Sequence, residues 1–433
     1  MTRTILRGVR PYDRDPADLT VDNGVITALE GPGAAEAVGA HVLDCSGLIA
    51  LPGLIDLHTH LREPGREDAE TVATGSAAAA LGGYVAVFAM ANTDPVTDTA
   101  GVAEQVWRLG RDAGLVHVQP VGAVTVGLGG TRLAELGAMA DSAARVRVFS
   151  DDGSCVDDPL LMRRALEYVS AFDGVIAQHA QDNRLTVGAQ LNEGEVSARL
   201  GLAGWPRVAE EAVIARDVLL AEHVRSRLHV CHVSTAGSVR IIADAKARGV
   251  AVTAEVTPHH LLLTDEAATG YDPMFKVNPP LRTAADVAAL RAGLADGTID
   301  AVATDHAPHP VEAKDCEWDA AAMGMLGLQT ALPVVQASMV DTGLLDWAGV
   351  ADRMSVRPAR IGRLAGFGTP VAVGSPAHLT LYDPASPWTV DPAELASRSA
   401  NTPFAGRTLP GRVVATFLAG RATVRDGRLV EQP

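Results

Sequence analysis

The chain reads as an α/β protein: a (β/α)8 TIM barrel with a small β-sandwich domain built from its N- and C-terminal segments. Three observations predict this. Eight apolar, β-branched runs, at 48–57, 84–90, 116–122, 146–150, 175–179, 228–233, 250–256 and 299–304, alternate with helix-like stretches. Each run is almost continuously hydrophobic, as strands buried on both faces of a parallel sheet require, and eight is the number that closes a barrel. Shorter strand-like pieces, separated by turn residues, frame the eight runs at both ends of the chain. An open doubly wound sheet is disfavoured, because no G-x-G-x-x-G follows the first run.

In chain order, residues 1–50 carry short strands at 4–6, 19–21, 25–29 and 41–44, punctuated by Asp22-Asn23-Gly24 and Gly31-Pro32-Gly33. Residues 369–433 repeat that texture at 379–382, 411–418 and 422–425, with turns at Ala419-Gly420-Arg421 and Asp426-Gly427. Neither end can bury a core alone, so the two are expected to pack together, leaving 51–368 as the barrel domain. Between the eight runs, 71–80, 160–170, 207–225, 238–248 and 284–294 are rich in Ala, Leu, Glu and Arg at helical spacing. The stretch 309–324 is polar and aperiodic, too long for a connector, and is expected to close as a lid over a site.

Composition excludes several classes of function. With 36 basic against 52 acidic residues the net charge is −16, which argues against nucleic acid or an anionic membrane as a partner. No apolar stretch reaches the length of a membrane span, and no signal-peptide h-region precedes Asp13. The four cysteines, Cys45, Cys155, Cys231 and Cys316, form no C-x-x-C pair. Reduced thiols in a cytoplasmic protein are expected.

The chemistry gathers where barrel chemistry sits, at the C-terminal ends of the strands. The first run leads into His58-Thr59-His60, and residues two apart on a strand point the same way, so two imidazoles converge. Further runs lead to Asp151 and Asp152, His179, His232, His259 and His260, and Asp305. Of thirteen histidines in the chain, those at the ends of runs one, five, six and seven form the cluster, and such a cluster marks a site. Nitrogen and carboxylate donors without thiolate suit Zn²⁺, with Mn²⁺, Co²⁺ or Fe²⁺ as competitors. The donors outnumber the needs of one tetrahedral ion, so two divalent metal ions are expected, with a bridging group and a shared water as nucleophile.

Asp56-Leu57-His58-Thr59-His60, His179, His232 and Thr304-Asp305-His306-Ala307-Pro308 resemble the amidohydrolase superfamily of metal-dependent barrels. His60-Leu61-Arg62-Glu63-Pro64-Gly65, Met90-Ala91-Asn92-Thr93, Phe149 to Gly153, Phe275 to Arg282 and Asp305 to His309 narrow the resemblance to type I dihydroorotase, over residues 4–425. The resemblance implies that His58, His60 and Asp305 ligate one metal, His179 and His232 the other, and that Asp152 rather than Asp151 bridges them. Many relatives bridge with a carbamylated lysine on the fourth strand, but this chain has no lysine before Lys246. The resemblance further implies Asp305 as general base and then acid. It places Arg62, Asn92 and His309 on the substrate carboxylate, Asn278 on the ring or ureido edge, and Met323 and Gly324 as main-chain contacts. The implied reaction is the reversible cyclisation of N-carbamoyl-L-aspartate to L-dihydroorotate in pyrimidine biosynthesis. It also implies a homo-oligomer, with aspartate transcarbamoylase as a candidate partner. The alternatives are an allantoinase or dihydropyrimidinase, or a non-catalytic scaffold for aspartate transcarbamoylase. His259, His260 and His306 are expected to brace the site, with only one of His259 and His260 facing inward from a strand. His41, His117, His223, His229 and His378 are expected to be structural or exposed, and Cys231 a buried small hydrophobe.

Overall fold

A computed structural model describes residues 3–431. The barrel strands are, in order, Leu54–Thr59, Tyr84–Ala89, His117–Pro120, Val148–Phe149, Val175–Gln178, Leu228–Val230, Val252–Val256 and Ala301–Val302. All pair in parallel, the first three in one ladder and the last five in another. Two parallel bridges, Gly122 with Phe149 and Thr59 with His306, join the ladders and close the barrel. One apolar cluster draws Ile55, Val85, Phe88, Val148, Val175 and Ala301 together. A second packs Val87, Val118, Ile176, Val230, Ala254 and Val302 against helical residues such as Val106, Leu166, Val218, Ile242 and Leu290. Strands buried on both faces explain why the runs lack polar alternation.

The helices Val72–Leu81, Pro159–Val169, Ala236–Ala247 and Ala284–Asp296 begin where Thr71, Asp158, Thr235 and Thr283 accept hydrogen bonds from first-turn amides. These caps satisfy donors that the helix leaves unpaired and fix where each strand-to-helix loop ends. No helix among the described residues is long and apolar enough to cross a membrane.

The chain ends build one nine-stranded sheet. Its path runs Arg428–Leu429, Arg421–Arg425, Arg412–Leu418, Leu379–Asp383, Ile49–Pro52, Thr4–Pro11, Ala17–Asp22 and Val25–Glu30, with His41–Asp44 added beside Thr4–Pro11. A bridge from Val25 to Pro376 brings the far edge back against the C-terminal segment, so the sheet curls into a sandwich. Leu6, Leu19, Ile26, Leu379, Leu381, Ala415 and Phe417 fill its core from both ends of the chain.

The apolar run at 48–57 divides between the two units. Ile49–Pro52 pairs with Thr4–Pro11 and Leu379–Asp383, whereas Leu54–Thr59 enters the barrel. Gly53 is the hinge: a Cβ there would lie 2.4 Å from Val85 Cγ1 and 2.6 Å from Cγ2. Valine is β-branched and stiff, so the neighbour cannot swing aside. Gly53→Val is therefore expected to destabilise the fold by about 1–3 kcal/mol, read as a lower urea midpoint; an unchanged midpoint would show that the close approach relaxes freely.

Candidate metal centre and substrate cavity

The centre is assembled from four imidazoles and two carboxylates at the strand ends. His58 Nδ1 lies 2.8 Å from Glu255 Oε1, and the other oxygen of Glu255 lies 3.0 Å from His229 Nε2. Burial pushes the Glu255 carboxyl up, but its hydrogen bonds to the two histidines bring it down to about 2, so it is an anion. An anionic acceptor holds the proton on His58 Nδ1 and leaves Nε2 as the free electron-pair donor. His58 Nε2 is buried without a hydrogen-bond partner. It lies 3.3 Å from Asp152 Oδ1 and 3.5 Å from Asp305 Oδ1.

Two other rings, His60 and His179, are turned in the same way. His60 directs Nδ1 to Asn92 Oδ1 at 2.9 Å, and its Nε2 lies 3.1 Å from Asp305 Oδ1 and 3.3 Å from Asp152 Oδ2. His179 directs Nε2 to Gln181 Oε1 at 2.9 Å, turning Nδ1 toward Asp152 Oδ1 at 3.4 Å and His232 Nε2 at 2.9 Å. His232 Nε2 is also 3.4 Å from Asp152 Oδ1. Asp152 thus stands among all four rings. Asp151 instead accepts from the Val124 and Thr125 amides at 2.8 and 2.9 Å and from the Thr125 hydroxyl.

These spacings suit a metal. With metal–nitrogen bonds of about 2.0–2.1 Å, neighbouring donors of a tetrahedral ion sit about 3.4 Å apart. Two donor groups meet the requirement, His58 with His60 and Asp152, and Asp152 with His179 and His232. A third grouping, His58 with Cys231 and Glu255, is gathered as closely, but its donors are otherwise committed. Burial pushes the Cys231 thiol up to about 12, and both Glu255 oxygens are engaged by histidines. Arg62, His232 and Asp305 all have positive φ, at 62°, 29° and 48°. Such conformations cost non-glycine residues roughly 1–3 kcal/mol each and collect at functional sites.

A cavity of about 240 Å³ opens over the centre. Every metal-ligand and substrate residue implied by the family resemblance lines it except His58, which is fully buried beneath. Asp151, His259 and His260 stay outside it, and Gly153 and Ala307 complete the wall. Burial pushes the Arg62 guanidinium down to about 10, so it is still a cation near neutral pH, and its Nε is tied to Pro308 O at 3.2 Å. Burial and Arg62 together lower His309 to about 3. The neutral ring donates from Nε2 to Met323 O at 2.9 Å. Asn278 Nδ2 donates to Gln181 Oε1 at 2.9 Å. Gln181 thereby joins a ring of the centre to a side chain of the cavity.

Some residues take places the linear pattern did not give. His259 and His260 lie on the short helix Pro258–Leu262, and both are buried, because Thr257 caps a turn where strand was expected to continue. His306 donates from Nε2 to Glu70 Oε2 at 3.2 Å and accepts from the Gly327 amide, bracing the segment beside Asp305. His229 is neither exposed nor idle, since it shares Glu255 with His58. Glu255 and Gln181 were missed. A lone glutamate inside the apolar run at 250–256 was the available signal for the first, because a buried carboxylate needs partners. No comparable signal marked Gln181.

Fold and donors together define the class, a metal-dependent amidohydrolase barrel. Residues 47–238 match the family described as Dihydro-orotase-like. The chain is 67% identical to a dihydroorotase from Streptomyces coelicolor over 429 residues, covering 99% of this chain and all of that one. It is 58% identical to a dihydroorotase from Mycobacterium tuberculosis over 426 residues, covering 98% and 99%. An L-hydantoinase (dihydropyrimidinase) from Arthrobacter aurescens superimposes with a TM-score of 0.87 at 26% identity, covering 100% of this chain and 98% of that one. The chain belongs to the dihydroorotase family.

Because Glu255 sets which nitrogen of His58 is free, Glu255→Gln is expected to weaken divalent-metal affinity by about 10- to 100-fold. Competition with a chelator measures this, and an affinity equal to wild type would remove Glu255 from the centre.

Proposed function

We propose that this protein is a dihydroorotase, interconverting N-carbamoyl-L-aspartate and L-dihydroorotate. The observation that carries the reading is one cavity uniting a four-histidine, two-carboxylate donor set with a buried arginine. On this reading His58, His60 and Asp305 hold one divalent ion, His179 and His232 hold a second, and Asp152 lies between them. Zinc is the proposed metal, supported by nitrogen and carboxylate donors without thiolate. Bound there, the ions supply Lewis acidity toward a carbonyl and acidify the attacking water.

The chain's own residues do the rest. Arg62 offers a planar cation to the substrate carboxylate that does not react. Asn92 spends its oxygen on His60 Nδ1 and directs one amide hydrogen to Asp152 O at 3.5 Å, which leaves the other for the same carboxylate. Neutral His309 adds polarity without a second buried charge, while Asn278, Met323 and Gly324 receive the ring and ureido edge. Burial pushes the Asp305 carboxyl up, but His58 and His60 hold it well below the usual carboxylate range, so it is ionised and able to take a proton. In ring opening, water adds its oxygen to the ring amide carbon, and Asp305 accepts the proton released. The C–N bond then breaks and Asp305 returns that proton to the leaving nitrogen. Closure is the same path reversed, with loss of water.

An allantoinase or dihydropyrimidinase needs no clamp for a free carboxylate, and a pure scaffold needs no complete donor set. A homo-oligomer, with aspartate transcarbamoylase as partner, is supported by resemblance alone. Spectrophotometric ring opening of dihydroorotate, with metal analysis of the same sample, tests the function. Turnover of hydantoin or dihydrouracil in preference to dihydroorotate would overturn it.

Arg62→Ala is expected to keep its metal and lose roughly 1.5–3 kcal/mol of substrate binding, the worth of a charge-assisted hydrogen bond, seen as a KM raised at least tenfold. An unchanged KM would remove Arg62 from the carboxylate clamp. Asp152→Ala is expected to bind fewer than two metal ions and to lose turnover, whereas Asp151→Ala retains more of both. Reconstituting the metal without carbon dioxide should make no difference, because the proposed bridge is a native carboxylate. A fully loaded, active Asp152→Ala enzyme would refute that bridge.

A further inference from the structure

The chain has only three lysines, and two of them, Lys276 and Lys314, are buried beside the cavity. Lys314 is 1% exposed, and its three hydrogen-bond partners are all main-chain carbonyls. Its Nζ reaches Lys276 O at 3.2 Å, Ala322 O at 2.9 Å and Gly324 O at 3.2 Å. Three carbonyls match the three donors of an ammonium. Lys276 Nζ in turn donates to Trp318 O at 2.6 Å and Asp319 O at 3.1 Å, on the far side of the same 309–324 loop. Burying a cation is costly unless its donors are fully used, so the arrangement calls for a purpose beyond filling space.

The carbonyls belong to two strips of backbone that carry cavity residues. Lys276 stands two residues before Asn278, and Ala322 and Gly324 flank Met323. The strips also meet directly, the Gly324 amide donating to Lys276 O at 3.0 Å. Gly324 has no room to move inward: at φ 148° a Cβ there would meet His309 Nε2 at 2.7 Å. Asn401 Nδ2 holds Gly324 O from the other side at 3.2 Å.

We infer that Lys314 is a positioning residue for substrate binding: its ammonium fastens the Asn278 strip to the Met323–Gly324 strip and so fixes the wall that receives dihydroorotate. This deepens the dihydroorotase reading and rests on it. The lysine touches no reacting atom, so it governs affinity rather than the chemical step. Burial, with Lys276 adding repulsion, pushes Lys314 down to about 8. The charged and titratable groups facing it are Lys276, Asp272, Cys316 and His309. As pH rises past that value the ammonium becomes an amine, its bonds to carbonyls lose their charge assistance, and the wall loosens.

The test uses metal-loaded full-length enzyme with dihydroorotate as substrate. Lys314→Met is expected to raise KM at least tenfold, with kcat within threefold of wild type and bound metal unchanged. Lys314→Arg keeps a cation and recovers most of that loss. Wild-type KM should climb between pH 7.5 and 9.5, roughly across the titration of Lys314, while that of Lys314→Arg stays flat; this comparison still decides if the methionine variant fails to fold. Unchanged KM in Lys314→Met, a loss confined to kcat, or the same pH-dependent climb in Lys314→Arg would overturn the inference. An inactive wild type would instead overturn the substrate reading beneath it.

Discussion

The centre depends on what happens at the outer edge of its rings. An imidazole can turn either nitrogen inward, and a cluster of four would be ambiguous without outside instruction. Glu255, Asn92 and Gln181 supply it by engaging the outer nitrogens of His58, His60 and His179. The inner nitrogens then converge on Asp152 and Asp305 at 3.1–3.5 Å. A buried group of two carboxylates and four inward-turned rings is a donor set that divalent cations would complete.

The barrel delivers these parts from strands far apart in sequence, and its own buried polar contacts hold them in register. Asp56 accepts from the Thr304 amide and hydroxyl, tying the first strand to the segment that carries Asp305. Burial raises the Asp56 carboxyl to about 7 against those hydrogen bonds. Glu70 gathers His306, Ser397 and the Arg398 amide, so the C-terminal segment braces the same corner. Asn401 reaches the cavity wall from that segment as well. The C-terminal part of the chain is therefore more than a cover for an edge: it supplies struts to the site.

Charge explains why a strongly acidic protein can receive an acidic small molecule. The net charge of −16 lies over the whole chain, whereas the cavity contains Arg62 as a buried cation beside neutral His309. Lowered solvent screening strengthens an ion pair formed there. The two lysines behind the wall spend their donors on carbonyls and shape the cavity without entering it.

Much was legible in the linear pattern because the relevant signals are local. Runs apolar on both faces announce a parallel barrel, and His58-Thr59-His60 declares a converging pair since strand geometry has a period of two. Family motifs marked the remaining residues of the cavity, and the absence of lysine before Lys246 pointed to a native carboxylate as the bridge. Three things were decided only by the tertiary structure. Gly53 splits one apolar run between two sheets because Val85 fills the space a side chain would need, a neighbour no sequence window contains. Thr257 turns the expected end of a strand into a helix, so that both His259 and His260 become buried. Glu255 acts on His58, Gln181 on Asn278 and Lys314 on the Lys276 carbonyl, partners between 38 and 197 residues away. Their hydrogen bonds have meaning only once the barrel has closed, because donor and acceptor find each other across it rather than along the chain.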